Sequence, residues 1–291
     1  MPVGQLLVAG LSIGGLYALI AIAYSIVYRS TRTINFAQGD LGMLGAYLAL
    51  SIGVRAGLGV VPGYIAAIVA VALLAGGVEF VAFRPLYRYE NGPIFVIVSS
   101  IGLVFVLQTV MTLIWQAQPI NVPAAVSGTF SVASVVIEKQ RLLILGCVVV
   151  LLLALERFLH TRIGVGMRAA AEDPEHAALL GVVHRRMATL SYVIGGGLSA
   201  LAGVLAGPLL LLTPTGGASI GLIGLIAAIF GGLGNLMGAL LGGLLMGLVN
   251  SFGSYVIGGT YVELITFGIL MATFLLRPQG LLGEEGAAVR A

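Results

Sequence analysis

The stretch "TRTINFAQGDLGMLGAY", residues 31–47, sets three polar side chains, Asn35, Gln38 and Asp40, directly beside apolar sequence. Polar groups at membrane depth are costly, so such a cluster either stays outside a bilayer or is placed inside one for a purpose. The flanks sharpen the choice. Residues 3–28 form a long apolar run ahead of it, and the run behind it, 41–54, is short for the roughly 20 residues that a span requires. That second helix is expected to borrow its first turns from the quoted stretch.

Composition agrees that the runs are membrane spans. The chain has 291 residues, 59% of them hydrophobic and 9% charged, with a mean hydropathy of +1.11. Soluble domains carry about 25% charge, so this is an integral membrane protein. Gly supplies 43 residues, spread through the apolar runs. Small residues let helices approach closely in lipid, and Gly10/Gly14, Gly203/Gly207, Gly238/Gly242 and Gly243/Gly247 all have GxxxG spacing. The net charge of +3 comes from short basic clusters between the runs, a pattern that orients helices and gives no support to nucleic-acid binding. Cys147 is the sole cysteine, which excludes an internal disulfide and leaves a packing role. The N-terminal run lacks a basic n-region and exceeds a signal peptide's apolar core, so it reads as a retained first helix.

Apolar runs occur at 3–28, 41–54, 60–83, 93–115, 142–159, 190–212, 220–252 and 261–276. The seventh is too long for one ordinary helix and is interrupted by "GGLGN", residues 231–235, which predicts two pieces with a turn between them. With the N-terminus outside, Arg29, Arg32, Arg84, Arg88 and the arginines of 157–186 fall inside. Splitting 220–252 into two crossings brings Arg277 and Arg290 inside as well, so that eleven of the fourteen Lys and Arg residues are cytoplasmic. The expected fold is an all-α, polytopic membrane helix bundle of eight to nine passes, nine being favoured, with broken or re-entrant segments, forming one domain over 1–291.

Two connections are long enough to hold structure. The outer loop, 116–141, contains two prolines and a β-rich run suited to a small extracytoplasmic cap or a passive connection. The cytoplasmic loop, 161–189, is the most polar part of the chain. Asp173 is a good N-cap, Pro174 suits the first helical position, Glu175 favours the positive helix end, and Gly181 suits a left-handed C-terminus after Leu179 and Leu180. A helix over 174–180 is marked at both ends. Isolated helices shorter than about 12 residues are marginal in water, so this one needs a partner surface.

Several chemistries lack their signatures. The single lysine, Lys139, follows Glu138, so no P-loop is present and ATP hydrolysis by that route is excluded. His160, His176 and His184 make no HExxH pair, no GxSxG elbow occurs, and no metal site is expected. Acids beside apolar runs are limited to Asp40, Glu79 and Glu263. Glu79 is expected to snorkel into a surface ion pair with Arg84 or Arg88, and Glu263 reads as an interfacial residue or a pathway group.

The strings "GLYALIAIAYSIVYRSTRTINFAQGDLGMLGAYLA", "EFVAFRPL", "GMRAAAEDPEHAALLGV", "SALAGVLAGP", "FGGLGNLMGALLGGLLMGLVNS" and "FLLRPQGLLG", taken in order, resemble the LivH-type permeases of branched-chain amino-acid ABC importers. That resemblance implies a type II importer-like fold and a permease subunit without cofactors of its own. It further implies a LivM-like second permease, two cytosolic ATPases that use the ATP, an extracytoplasmic binding protein, and residence in the cytoplasmic membrane. It assigns Arg168, Glu172, Asp173, Pro174, Glu175, Leu179, Leu180 and Gly181 to the ATPase-coupling segment, with Glu172 standing where many relatives have Gln. Transport of branched-chain or related amino acids by alternating access is the expected function. The alternative is a stand-alone channel or facilitator for a small neutral solute such as urea or an amide; an intramembrane enzyme would need a convergent catalytic set, which is missing.

Asn35, Gln38, Gly39, Asp40, Thr213, Thr215 and Glu263 are the candidate translocation-path or gate residues. Charge placement puts Arg29 and Arg32 at the inner face, so Asn35, Gln38 and Asp40 are expected near it, in irregular backbone. Asn35 can cap a helix start, Gly39 and Gly42 allow close packing, and Asp40 can pair with Arg29 or Arg32. A gate or capping role and direct substrate contact are both open.

Overall fold

A computed structural model describes residues 3–282 except 127, 133, 134, 173 and 278. The elements are α1 (Val3–Thr31), α2 (Gln38–Ala49), α3 (Val60–Val78), α4 (Gly92–Trp115), β1 (Thr129–Val132), β2 (Val135–Glu138), α5 (Lys139–Leu159), α6 (Arg162–Glu172), α7 (Pro174–Leu179), α8 (His184–Ala206), α9 (Gly216–Gly231), α10 (Leu236–Val256) and α11 (Val262–Leu276). Six of the described helices are long and apolar enough to cross a membrane, and α9 and α11 are shorter apolar helices. The expected all-α bundle is therefore present, with one small antiparallel hairpin, β1–β2, in the 116–141 connection.

Two helices end in π-helical turns, Leu50–Arg55 after α2 and Glu79–Phe83 after α3. The first matters for length. It adds 6 residues to the 12 of α2, and with the helix beginning at Gln38 the short 41–54 run gains the turns it was expected to borrow.

Burial separates an inner group of helices from an outer one. The most apolar window of α1 is 72% buried and that of α8 is 67%, against 22% for α4 and 17% for α5. The outer helices turn apolar faces outward, with Leu73, Phe105, Leu113 and Val150 exposed, as lipid-facing surfaces do. Inside, hydrophobicity cannot drive helix against helix, because lipid is equally apolar; close van der Waals packing does, and glycine permits it. Gly14 of α1 lies against Gly243, Leu244 and Gly247 of α10, and Gly243 faces Ala18, so the two helices run antiparallel in contact. Gly42 of α2 lies against Gly203 of α8, and Gly231 of α9 against Gly238 of α10. Apart from Gly207, which follows α8 and lies against Val122 of the 116–141 connection, the glycines of the GxxxG pairs thus sit in helix seams.

The predicted break at 231–235 is a tight turn. Gly232 has φ +107° and Gly234 φ +86°, values that favour glycine, and Asn235 caps α10 by accepting from the Gly238 amide at 2.9 Å. Helices α9 and α10 are an antiparallel pair, as the pairing of Gly231 with Gly238 and of Ala227 with Gly242 requires. The segment after α11 is tied to this turn: the Leu281 and Leu282 amides donate to the Phe230 and Gly231 carbonyls, and Asn235 Nδ2 donates to the Leu282 carbonyl. Arg29 Nη1 reaches the Gly234 carbonyl, so the end of α1 and the end of α11 share one basic end of the bundle.

At the opposite end, the strand-like pairing of Ile120 with Leu212 and the Tyr64 hydroxyl donating to the Pro123 carbonyl strap the 116–141 connection across α3 and α8.

Candidate functional site

The quoted stretch leaves α1 and turns back into the bundle. Arg32 ends the helix in the left-handed region, φ +54°, and residues 33–37 run without regular structure. Asn35 shapes the return. Its Oδ1 accepts from the Ala37 amide at 3.1 Å and its carbonyl accepts from the Gln38 amide at 3.3 Å, an Asx turn leading into α2. The N-cap position itself belongs to Ala37, so Asn35 prepares the helix start two residues earlier than expected. Gln38 and Asp40 are in the first helical turn, a correction to the expectation of irregular backbone.

Asn35 is 1% exposed, and Gln38 and Asp40 are fully buried. Gln38 Oε1 accepts from Ser199 Oγ on α8 at 3.0 Å, and Asp40 Oδ1 accepts from Gln108 Nε2 on α4 at 3.0 Å. The Phe36 amide donates to Ser100 Oγ, also on α4. Residues two apart on a helix face different neighbours, so these bonds fix α2 from opposite sides. The small residues between them serve a third contact: Gly39 lies against Gly217 and Gly221 of α9.

Asp40 is paired with Gln108 rather than with Arg29 or Arg32. It is also deeper than charge placement implied. Gln108 lies about 24 Å along α4 from Gly92 at 1.5 Å per residue, two-thirds of the way from the basic end. The reason is the re-entry itself: residues 33–37 carry the chain inward before α2 begins. Gln38 Nε2 and Asp40 Oδ2 have no partner among the described residues, which leaves costly polar atoms in the middle of the bundle.

Glu79 also departs from expectation. It is wholly buried between α3 and α8, where Gly76 faces Val193 and Gly196 faces Ala75, so the helices are too close for the side chain to reach the surface. It accepts from the Thr189 hydroxyl and pairs with Arg84 at 3.8 Å, while Arg84 Nη2 also donates to the Arg185 carbonyl and to Thr189. The end of α3 is thereby locked to the start of α8. Nearby Tyr87, in the connection after α3, has its hydroxyl pushed up to about 12 by burial, so it stays neutral.

The 161–189 segment folds as an elbow. Helix α6 buries Met167 and Ala170 and leaves Arg168 exposed to solvent, and His184 Nδ1 bonds the Ala170 carbonyl at 2.9 Å. Helix α7, predicted over 174–180, spans Pro174–Leu179. It ends as its sequence indicates: Gly181 is left-handed at φ +80°, and the Val182 amide closes onto the Ala177 carbonyl at 2.9 Å. Asp173 lies outside the described residues, as do the side chains of Glu172, Pro174 and Glu175. Ala177 is buried, whereas Leu179 and Leu180 are 85% and 82% exposed. Two adjacent leucines thus project from the basic end.

Among the described residues, no bond joins the remaining candidates to the α2 cluster. Pro214 is buried between half-buried Thr213, whose carbonyl accepts from the Gly216 amide, and exposed Thr215, the N-cap residue of α9. Glu263 is exposed in the first turn of α11. The partners Ser100, Gln108 and Ser199 belong to no local motif; each is a polar residue inside an apolar run. No group of three or more His, Cys, Asp or Glu able to hold a metal occurs among the described residues.

Apolar outer helices, glycine seams, a polar stretch re-entering at mid-depth and an elbow at the basic end define a class, the multi-pass membrane helix bundle. The chain belongs to the family described as branched-chain amino acid transport system / permease component, whose model matches residues 6–275. It is 35% identical to the high-affinity branched-chain amino acid transport system permease protein BraD of Pseudomonas aeruginosa, over 96% of this chain and 95% of that protein. It is 32% identical to the corresponding permease protein LivH of Escherichia coli K12, over 94% of each. Among solved structures, a chain of PsaBC from Streptococcus pneumoniae in complex with Fab matches with a TM-score of 0.51, covering 95% of this chain and 92% of that one. At 14% identity that likeness speaks for the fold alone.

Proposed function

We propose that this chain is the permease subunit of an ABC importer that moves branched-chain amino acids across the cytoplasmic membrane by alternating access. Family membership over residues 6–275 is the observation that carries the reading. In this reading the chain has no ATP site, catalysis or cofactor of its own; two cytosolic ATPases use ATP, a LivM-like permease completes the pathway, and an extracytoplasmic protein delivers substrate. The N-terminus is outside and the basic end, with the C-terminal segment, is cytoplasmic, in keeping with the positive-inside rule.

The elbow is the coupling segment. Leu179 and Leu180 offer apolar area that is out of place in water, and a short helix with that surface is supported by docking. The ATPases press on α7, and α8, which follows it, carries both Ser199 at the α2 cluster and Thr189 at Glu79. A shift of α8 relative to α2 and α3 therefore reaches the middle of the bundle. ATP drives the switch only through differential binding to the two states. Asn35, Gln38, Gly39 and Asp40 hold the gate in this scheme.

The test is uptake by vesicles containing the assembled subunits. Leucine, but not urea, should accumulate with ATP. Replacing Leu179 and Leu180 by Asp removes docking area worth about 1.5–3 kcal/mol per buried leucine, so uptake should fall by about tenfold or more while the chain stays folded. Normal ATP-driven leucine uptake by that variant would sink the coupling assignment, and uptake of urea without ATP would sink the importer reading.

A further inference from the structure

At the basic end a cavity of about 370 Å³ lies between the last turns of α1 and α5, helix α6 and the α9–α10 turn. Small-ligand sites occupy about 300–1,000 Å³. Arg29, Arg32, Arg168 and His160 line it together with a single carboxylate, Glu156. Charge placement accounts for arginines at this end of a membrane protein. It does not account for three of them, drawn from the end of α1 and from α6, lining one cavity.

Arg32 carries a second observation. Its backbone is left-handed, φ +54°, a conformation disfavoured for any residue with a Cβ. Such strain persists where surrounding structure holds it, and it clusters at binding and switch sites. Here the Arg32 amide donates to the Tyr28 carbonyl at 2.8 Å, and its guanidinium stands over the Tyr28 ring at 5.8 Å, which keeps the side chain at the cavity wall. Arg29 is steadied by the Gly234 carbonyl at 3.5 Å. The first turn of α10, Leu236 and Met237, supplies another wall, bringing the positive end of a long helix dipole to the same space.

We infer that this cavity binds a phosphate-class anion, as a phospholipid headgroup or as soluble phosphate. Guanidinium groups match phosphate oxygens in bidentate pairs and remain charged at any physiological pH. The inference rests on the proposed orientation only for the leaflet and compartment from which the anion comes. Occupancy would tie the α9–α10 turn to the elbow through Arg168.

The experiment uses the full chain purified with its copurifying subunits. In one arm, native mass spectrometry compares retention of phosphatidylglycerol with phosphatidylcholine; in the other, thermal shift compares inorganic phosphate with chloride at equal ionic strength. A preference in the lipid arm alone identifies a headgroup site, and a shift with phosphate identifies a soluble anion. In either case R32Q/R168Q should weaken binding about tenfold. If the double variant fails to assemble, R168Q, at an exposed position on α6, serves alone. No preference in either arm, or a preference that survives these substitutions, overturns the inference. Since the readout is binding, its failure is separable from a failure of leucine uptake.

Discussion

Replacing Gly203 by Ala perturbs the seam between α2 and α8. A Cβ at this position falls on the Gly42 carbonyl and lies 3.0 Å from the Gly42 Cα. Both obstacles are backbone, so no side chain can rotate away. Non-bonded carbons prefer about 3.5–4.0 Å, and the helices must part by on the order of 1 Å. Overpacking of this kind costs about 1–3 kcal/mol. The separation also strains the Ser199–Gln38 bond, 3.0 Å in the intact seam and one helical turn from Gly203. For a chain of this size about 1 kcal/mol moves Tm by roughly 2–4 °C, so a fall of about 2–12 °C is expected. The sole tryptophan provides the assay: Trp115 packs on Tyr47 of α2 with ring centroids 5.1 Å apart, so its fluorescence reports the loosening of α2 during thermal unfolding. Gly102→Ala on α4 is the control, because nothing lies within 4 Å of a Cβ there. If G203A melts with the wild type, or G102A loses as much, the packing argument is wrong.

Gln108→Leu removes the donor that holds Asp40 Oδ1 and leaves a buried carboxylate alone. A loss of about 1–3 kcal/mol is expected, and Asp40→Asn in the same background should recover part of it in the same melting assay. Asn235→Ala deletes the α10 cap and the tie to the Leu282 carbonyl. A cap is worth about 1 kcal/mol, so a modest drop in Tm should accompany faster proteolysis at the C-terminal end. Unchanged proteolysis would mean that Asn235 does not anchor that segment.

The two corrections at acidic residues have a common origin. Sequence places Asp40 eight residues after Arg32 and Glu79 five before Arg84, and linear charge reasoning pairs each with its neighbours near a helix end. For Glu79 the neighbour is right, because a helical turn brings Arg84 back to it, yet the setting is wrong because glycines on α3 and α8 close the gap around it. For Asp40 the neighbour is wrong too. The irregular residues 33–37 redirect the chain, and no local rule gives the depth to which they carry it. Gln108 and Ser199 are distant in sequence, so their selection as partners depends on which helices α2 meets.

What sequence determined by itself is what local chemistry dictates. Apolar length marked the spans, the interruption "GGLGN" marked the 231–235 turn, and Pro174 with Gly181 bounded the short helix to within a residue. These depend on dihedral preference, capping and solvation, which act over a few residues. Tertiary structure alone decided that Gln38 and Asp40 hold α2 from opposite sides, that Glu79 is sealed between two helices, and that Arg29, Arg32 and Arg168 share one cavity. The physical reason is that a membrane bundle is sorted by backbone contact at glycine seams. The GxxxG spacing shows that a helix has a seam, but only the packed bundle shows which helix fills it.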